Sequence, residues 1–353
     1  MKLKRILCAI LCLTLSLLML SSCNFSQNSG KEAEPQATSY YEYFDTVSVI
    51  FSYKNDTPEE FADNCNAVSE LLSEYHKLFD IYYEYEGINN IKTINKNAGK
   101  EPVKVDGKLI DFLLYCKEIF TLTNGKTNVA MGSVLKLWHD ERENAETSPE
   151  NAKLPEYKEL LEASLHTDIN SVVIDKEAGT VLISDPKVQL DVGAVGKGYA
   201  TEKAAELLTE RGAESYVLNI GGNIRTIGSK PNGDGWITGI TNPDKTSEEA
   251  FVCKVEIKNT SLVTSGDYER FYTVDGKKYH HIIDPQTLMP ANFFSSVSVF
   301  TENSALADAL STALFCMSYE DGLKLAESVG AEVIWVRRNN EVLTTDGIEI
   351  VKN

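Results

Sequence analysis

The sequence predicts an α+β fold, with mixed and antiparallel sheets flanked by helices in one large domain. Two observations predict it. Strand-like alternating runs and helix-period runs follow one another without the strict βαβ alternation of a doubly wound sheet. From Tyr40 onward no internal repeat divides the chain, and the remaining ~314 residues lie within the range of a single large domain.

The elements follow in order. Tyr43 to Tyr53 alternates and is β-branched, which predicts a strand. Phe61, Val68, Leu71, Leu72, Tyr75 and Leu78 recur at helical spacing, so Pro58 to Phe79 reads as a helix. Asp80 to Lys100 is an irregular loop rich in Tyr, Asn and Gly. Asp106 caps a second helix running to Leu122. Asn124 to Trp138 holds a glycine turn and a short helix, and the charged stretch His139 to Glu159 reads as surface. Val172 to Ile174 and Val181 to Ile183 form a hairpin about a glycine turn. A strand end at Gln189-Leu190 runs into a helix from Tyr199 to Arg211. Strands are expected at Val217 to Ile220, Trp236 to Ile240, Phe251 to Ile257, Leu262 to Thr264 and Val297 to Phe300. A long helix from Asn303 to Met317 has Thr301 as its expected cap. A shorter helix, Glu320 to Val329, precedes closing strands at Glu332 to Arg337 and Val342 to Thr344.

The chain of 353 residues opens on Lys2, Lys4 and Arg5, followed by an apolar run from Ile6 to Leu20. A run of about 15 residues is short for a membrane span, which needs about 20, and suits a cleaved signal segment. Its end, Leu20-Ser21-Ser22-Cys23, resembles a bacterial lipobox, which implies a signal peptide over 1–22 and lipidation of Cys23. Asn24 to Ser39 is polar with little to bury and reads as a flexible tether, so the expected folded domain spans 40–353. This start implies a lipid-anchored protein on the extracytoplasmic face of the cell membrane. The formal charge is −18, and loss of the three basic leader residues takes it further down. Such acidity excludes nucleic acid, which demands a positive footprint. Past Cys23 the cysteines are Cys65, Cys116, Cys253 and Cys316, widely spaced and read as buried free thiols. With five histidines and no H-E-x-x-H, zinc hydrolase chemistry is excluded.

Three clusters carry chemistry. Asp191-Val192-Gly193-Ala194-Val195-Gly196-Lys197-Gly198 opens a helix whose amides favour anions, with glycines that let a ligand approach and Lys197 as a point charge. Ser265-Gly266-Asp267-Tyr268-Glu269-Arg270 is followed by Tyr279-His280-His281-Ile282-Ile283-Asp284-Pro285, in which His281 and Asp284 offer general-base chemistry. His280 reads as a surface histidine. In Ala307-Asp308-Ala309-Leu310-Ser311-Thr312-Ala313, Asp308 and Thr312 share a helix face. A carboxylate and a hydroxyl there suit a hard cation such as Mg²⁺, which takes oxygen ligands and substrate phosphates.

Together, DVGAVGKGYA, NIGGN, SGDYER, HHIIDPQT and ADALSTA resemble, in order and spacing, the signature of the ApbE family of FAD:protein FMN transferases. The resemblance extends from about Tyr43 to Thr345. It implies Mg²⁺-dependent transfer of FMN from FAD to a protein Thr or Ser hydroxyl, with AMP released. It implies that Asp191 and Lys197 contact the flavin nucleotide, that Ile283 lies against FAD, and that His281 lies near the diphosphate. The Ala194 carbonyl, Asp308 and Thr312, with Ser311 as a further ligand, are implied for Mg²⁺. Upstream, Phe44 stands where the family often has Met. The family's F-D-x-T-x-G-P-L appears here as TNVAMGSV, so Thr127 and Asn128, beside Lys126, replace the expected aromatic and acid. Tyr82 matches a flavin-contacting region loosely. The implied acceptors are subunits of Rnf- or Nqr-type membrane redox complexes.

Two other functions use the same residues. A Mg²⁺-dependent FAD pyrophosphatase would give FMN and AMP with water as acceptor. A non-catalytic flavin-binding lipoprotein would have no use for the Asp308–Thr312 pair.

Overall fold

The computed structural model describes residues 35–351 apart from 55; the expected leader and Cys23 lie outside them. The first described element is β1 (Gln36–Tyr40), which pairs antiparallel with β2 (Ser48–Ser52). Four residues assigned to the tether are therefore part of the sheet: Gln36 to Ser39 are polar, but the backbone of an edge strand needs only one paired neighbour. Helix α1 (Pro58–Phe79) starts on a Thr57–Glu60 capping box and buries Phe61, Val68, Leu72, Tyr75 and Leu78.

The loop expected from Asp80 contains a short helix, α2 (Ile91–Lys96), capped reciprocally by Asn90 and Thr93. It precedes β3 (Val103–Lys104) and α3 (Gly107–Leu122), the latter capped by Asp106 as its sequence predicts. Helix α4 (Gly132–Thr147) runs well beyond Trp138, because the charged residues after it form its outer face. Then come α5 (Tyr157–Ser164) and the hairpin of β4 (Val172–Asp175) and β5 (Thr180–Ile183), to which β3 adds a third strand.

Helix α6 (Gly196–Glu210) begins three residues before Tyr199, so its first turn holds Lys197 and two glycines. It is followed by β6 (Ser215–Ile220) and β7 (Asn223–Gly228), joined through Gly221 and Gly222 at φ 57° and 91°. Left-handed conformations at both positions are what a two-residue hairpin turn requires, and glycine adopts them without strain. A separate hairpin pairs β8 (Trp236–Thr241) with β9 (Phe251–Ile257). The chain continues through β10 (Ser261–Gly266), the small hairpin β11 (Phe271–Val274) and β12 (Lys277–His280), and β13 (Phe294–Thr301). Helix α7 (Ser304–Phe315) is capped by Asn303, whose side chain accepts the Leu306 amide at 2.9 Å. Thr301 is not the cap; its hydroxyl binds the Asn303 backbone one turn too early. Helix α8 (Tyr319–Val329) and strands β14 (Glu332–Arg337) and β15 (Val342–Thr344) complete the fold.

The main sheet has eight strands in the order β1-β2-β6-β7-β10-β13-β14-β15, every neighbour antiparallel. Helices α6 and α7 pack on each other and on this sheet. The largest apolar cluster joins α1, α3, α6 and the β2–β6 strands around Leu72, Phe112, Tyr199 and Leu218. A second cluster lies between α7, α8 and β13–β14 around Phe315 and Trp335. Cys65, Cys116 and Cys316 are buried free thiols and Cys253 is a half-buried one, with no disulfide among them.

Candidate active site

The site is built where the N-terminus of α6 meets α7. Gly198 is the reason the two helices can touch there. A Cβ on it would run into Asp308 Cβ and the Ser304 carbonyl oxygen. With none, the Gly198 amide donates to Asp308 Oδ2 at 2.7 Å. Lys197 Nζ stands 3.9 Å from Asp308 Oδ1. Burial raises the Asp308 carboxyl above its usual range, and Lys197 and the Gly198 amide offset part of that. Asn223, at the start of β7, turns its buried side-chain amide toward the same carboxylate and also works against the rise, though Nδ2 makes no hydrogen bond of ordinary geometry among the described residues.

Ser311 Oγ donates to the Asp308 carbonyl at 2.9 Å and shares a 2.8 Å bond with Ser265 Oγ of β10. Thr312, half-buried on the Asp308 face of α7, has no side-chain hydrogen bond among the described residues. The described residues hold no group of three acidic, His or Cys side chains able to take a metal. A hard cation fits nonetheless. One buried carboxylate and an uncommitted hydroxyl on the same helix face offer oxygen only, and Mg²⁺ completes such a set with substrate phosphates and water.

Asp191 lies just before this junction. Its amide donates to Val129 O at 2.8 Å, and its Oδ1 accepts the Gly193 amide at 2.9 Å. Burial raises its carboxyl too, opposed by His139, Arg270 and Arg142. Tyr82 is half-exposed and stands 5.7 Å from the His139 ring, its hydroxyl raised to about 12 by burial and by Asp191. Phe44 sits at φ 54° with its amide on His76 Nδ1 at 3.2 Å. The turn it belongs to packs on the NIGGN hairpin, where a Cβ on Gly221 would meet Thr46 Cγ2 at 2.5 Å.

The His281 amide and Nδ1 both reach the Arg270 carbonyl, at 3.0 and 3.2 Å. A carbonyl only accepts, so Nδ1 carries the proton and Nε2 is left as the acceptor. Burial, then Arg270, lowers His281 to about 3, so it is neutral at physiological pH. His280 is buried, not on the surface. Its Nε2 donates to Ala291 O at 2.7 Å, its Nδ1 accepts the Ile282 amide, and its ring stands edge-on to Phe315. As the last residue of β12 it points inward, which the neighbouring polar residues conceal.

Lys126 and Asp284 form a buried ion pair at 2.9 Å. Asp284 Oδ1 also accepts the Gln286 amide, and Lys126 reaches Gln286 Oε1. Both charges are thus committed to tying the HIIDP loop to the loop ahead of α4. Thr127 Oγ1 donates to Ala309 O of α7 at 2.7 Å. Asn128 closes a turn onto the Ala130 amide and bonds Thr167 O. The Ile283 side chain is buried with Met131, Trp138, Tyr272 and Leu288. Arg270 stands in the SGDYER cluster that the sequence marks, but Arg142 and His139 lie in the charged stretch read as surface, where their only signal is basic character in an acidic chain.

A glycine-opened helix, a buried carboxylate beside a hydroxyl, and a neutral histidine define a protein that handles an anionic, phosphate-bearing ligand. The chain belongs to the ApbE family, whose profile matches residues 45–335. The FAD:protein FMN transferase of Treponema pallidum is 34 % identical over 274 residues, 73 % of each chain. That of Haemophilus influenzae is 26 % identical over 347 residues, covering 97 % of this chain and 96 % of its own. The crystal structure of the ApbE protein of Thermotoga maritima has a TM-score of 0.76 at 27 % identity, over 89 % of this chain and 97 % of that one. The flavin transferase ApbE of Vibrio cholerae shares the fold, with a TM-score of 0.73 at 22 % identity over 89 % and 98 % of the two chains.

Proposed function

We propose that this protein transfers FMN from FAD to a Ser or Thr hydroxyl of an acceptor protein and releases AMP, in a Mg²⁺-dependent reaction. The observation that carries the reading is the Gly198–Asp308 junction, which sets a buried carboxylate and Thr312 beside the anion-favouring start of α6. Asp308, Thr312 and the Ala194 carbonyl would hold the metal, with Ser311 as a further oxygen beside Asp308. Bound Mg²⁺ supplies neutralisation of the charge on the diphosphate oxygens. Lys197, at the first turn of α6, adds a second positive charge.

In the reaction, the acceptor oxygen forms a bond to the FMN-side phosphorus. The bond from that phosphorus to the bridging oxygen breaks, and the oxygen leaves with AMP. The hydroxyl proton passes to His281 Nε2, the ring's open acceptor. Desolvation alone makes that nitrogen a weak base; the negative diphosphate beside it strengthens it. Asp191 acts electrostatically on Tyr82, and Arg270 acts on both of them and on His281.

The acceptor is a Ser or Thr of a membrane redox subunit of the Rnf or Nqr kind, on the extracytoplasmic face, where lipid on Cys23 anchors the enzyme. Among the described residues no helix is long and apolar enough to cross a membrane. Cys23→Ala is expected to shift the protein out of the detergent phase; unchanged partitioning refutes the anchor. For the chemistry, the purified protein is mixed with FAD, Mg²⁺ and an acceptor domain. The reading predicts covalent flavin fluorescence on the acceptor, mapped to Ser or Thr by peptide mass spectrometry and abolished by EDTA. FMN and AMP released without labelled acceptor would identify a pyrophosphatase instead.

A further inference from the structure

Six arginines occur among the described residues, and four of them pair with carboxylates: Arg211 with Asp63, Arg225 with Glu202, Arg337 with Glu341 and Arg338 with Asp267. Arg142 and Arg270 have no carboxylate ion pair among those residues. In a chain of formal charge −18, unpaired guanidinium groups are the exception. These two also lie within electrostatic range of each other: Arg270 is the largest charge acting on Arg142, ahead of Glu146 and Glu143 on Arg142's own helix.

We propose that Arg142 of α4 and Arg270 of the β10–β11 loop form a two-armed clamp for the phosphates of the flavin nucleotide, closing over Tyr82 and His281. The inference rests on the flavin transferase reading and adds residues to it. Arg142 is half-buried, and its Nη2 donates to His139 Nδ1 at 2.7 Å. That nitrogen is an acceptor because a guanidinium only donates. The opposite nitrogen, Nε2, lies 3.3 Å from Glu143 Oε1. His139 therefore aims the guanidinium without neutralising it, and the His139 ring stands over Tyr82 at 5.7 Å. Arg270 is exposed, but its carbonyl is fixed by the two bonds from His281. Both arginines act electrostatically on Tyr82, Asp191 and His281, so all five groups border one space.

Two like charges held together, one of them half-buried, are unfavourable until an anion sits between them. Arginine's planar fork matches phosphate oxygens two at a time. A diphosphate brings the required negative charge and can engage both forks. A flavin ring or a ribose brings no such charge.

The clamp is tested by the affinities of FAD, ADP and riboflavin in excess Mg²⁺ for wild type, Arg142→Gln, Arg270→Gln and Arg337→Gln. Loss of one charge-assisted bond weakens binding roughly tenfold or more. The expected result is that loss for FAD and ADP in Arg142→Gln and Arg270→Gln, with riboflavin unchanged. Arg337→Gln removes an equal charge elsewhere and is expected to leave all three affinities alone. Arg142→Lys and Arg270→Lys are expected to recover part of the ADP affinity, and serve in place of a glutamine variant that does not fold. Undiminished FAD and ADP binding in both glutamine variants overturns the clamp while leaving the transferase reading intact. A parallel loss of riboflavin affinity also overturns it, because the arginines would then be supporting the fold. Wild type that binds neither FAD nor ADP overturns both readings.

Discussion

The Gly198 amide and the Asp308 carboxylate are 2.7 Å apart across the contact between α6 and α7. That bond joins the two segments with the strongest sequence signal, and it exists only because residue 198 has no side chain. Gly198→Ala would place a methyl group against Asp308 Cβ and the Ser304 carbonyl, and backbone cannot swing aside. Overpacking of this kind costs about 1–3 kcal/mol. The expected outcome is a lower melting temperature together with loss of flavin transfer. A variant that melts and transfers as wild type does would show that the helices can separate without consequence.

Asp308 carries an unfavourable ionisation that function explains better than stability. Burial raises its folded-state pKa above the usual 3.8, so the folded protein binds this proton more tightly than the unfolded chain. Stability from that proton is fully present below the unfolded value and is lost as pH rises through the folded one. At neutral pH and without metal, the ionised carboxylate is a net cost. Asp308→Asn keeps an oxygen for the Gly198 amide and removes the charge. In EDTA the variant is expected to melt above wild type at neutral pH, with the gap narrowing under acid. Transfer in Mg²⁺ is expected to fall by at least ~10²-fold, the scale for losing one charge-stabilising group. Lower stability with retained activity would contradict both halves.

How much of this was readable in advance depended on how local the signal was. Helix α1 announced itself through the spacing of its apolar residues, and α3 through Asp106. The short helix at Ile91 did not, since six residues give too little periodicity to read. Strand β1 is polar and is specified by pairing with β2 across a turn, not by its own composition. The glycines and acids of the site sit in contiguous motifs, so they could be found. The partners of Lys126, Thr127 and His280 lie on distant segments, and only the folded chain brings them together. For the same reason Arg142 and Arg270 carried no joint signal.

The buried Lys126–Asp284 pair separates a structural role from a catalytic one. Both side chains are nearly inaccessible, so removing one partner strands a charge. Such truncations cost about 3–5 kcal/mol, whereas replacing both partners with apolar groups is often neutral. Lys126→Met is therefore expected to be strongly destabilised in urea, with much of the loss recovered in Lys126→Met/Asp284→Leu. If the double variant is no better than the single, the pair is not the source of the cost. Flavin transfer measured on the recovered double variant then shows whether Asp284 takes any part in proton transfer.

The two adjacent histidines set the acid limb of stability. Burial lowers His280 to about 4 and His281 to about 3, against an ordinary 6.5. For a base whose folded pKa is depressed, the unfolded chain binds the proton first as pH falls. Their contribution is thus intact above about 6.5 and is lost progressively down to about 4 and about 3. Asp308 and Asp191 act in the opposite sense over the acid range, since burial raises both. A comparison of variants isolates the histidines from that background. His281→Gln cannot be protonated, so its urea midpoint is expected to fall less than that of wild type between neutral pH and about 4. His280→Gln is expected to flatten the same limb while lowering stability at all pH values, because the bonds to Ala291 and Ile282 are lost with the ring. The transfer rate separates the pair further. With His281 of the free enzyme neutral throughout the physiological range, wild-type kcat/KM, which reports the free enzyme, is expected to show no inflection near 6.5, and His281→Gln is expected to lose about 10²–10⁴-fold, the usual contribution of a general base. An inflection near 6.5 that disappears in His281→Gln would mean the ring is far better solvated than its contacts with Arg270 allow.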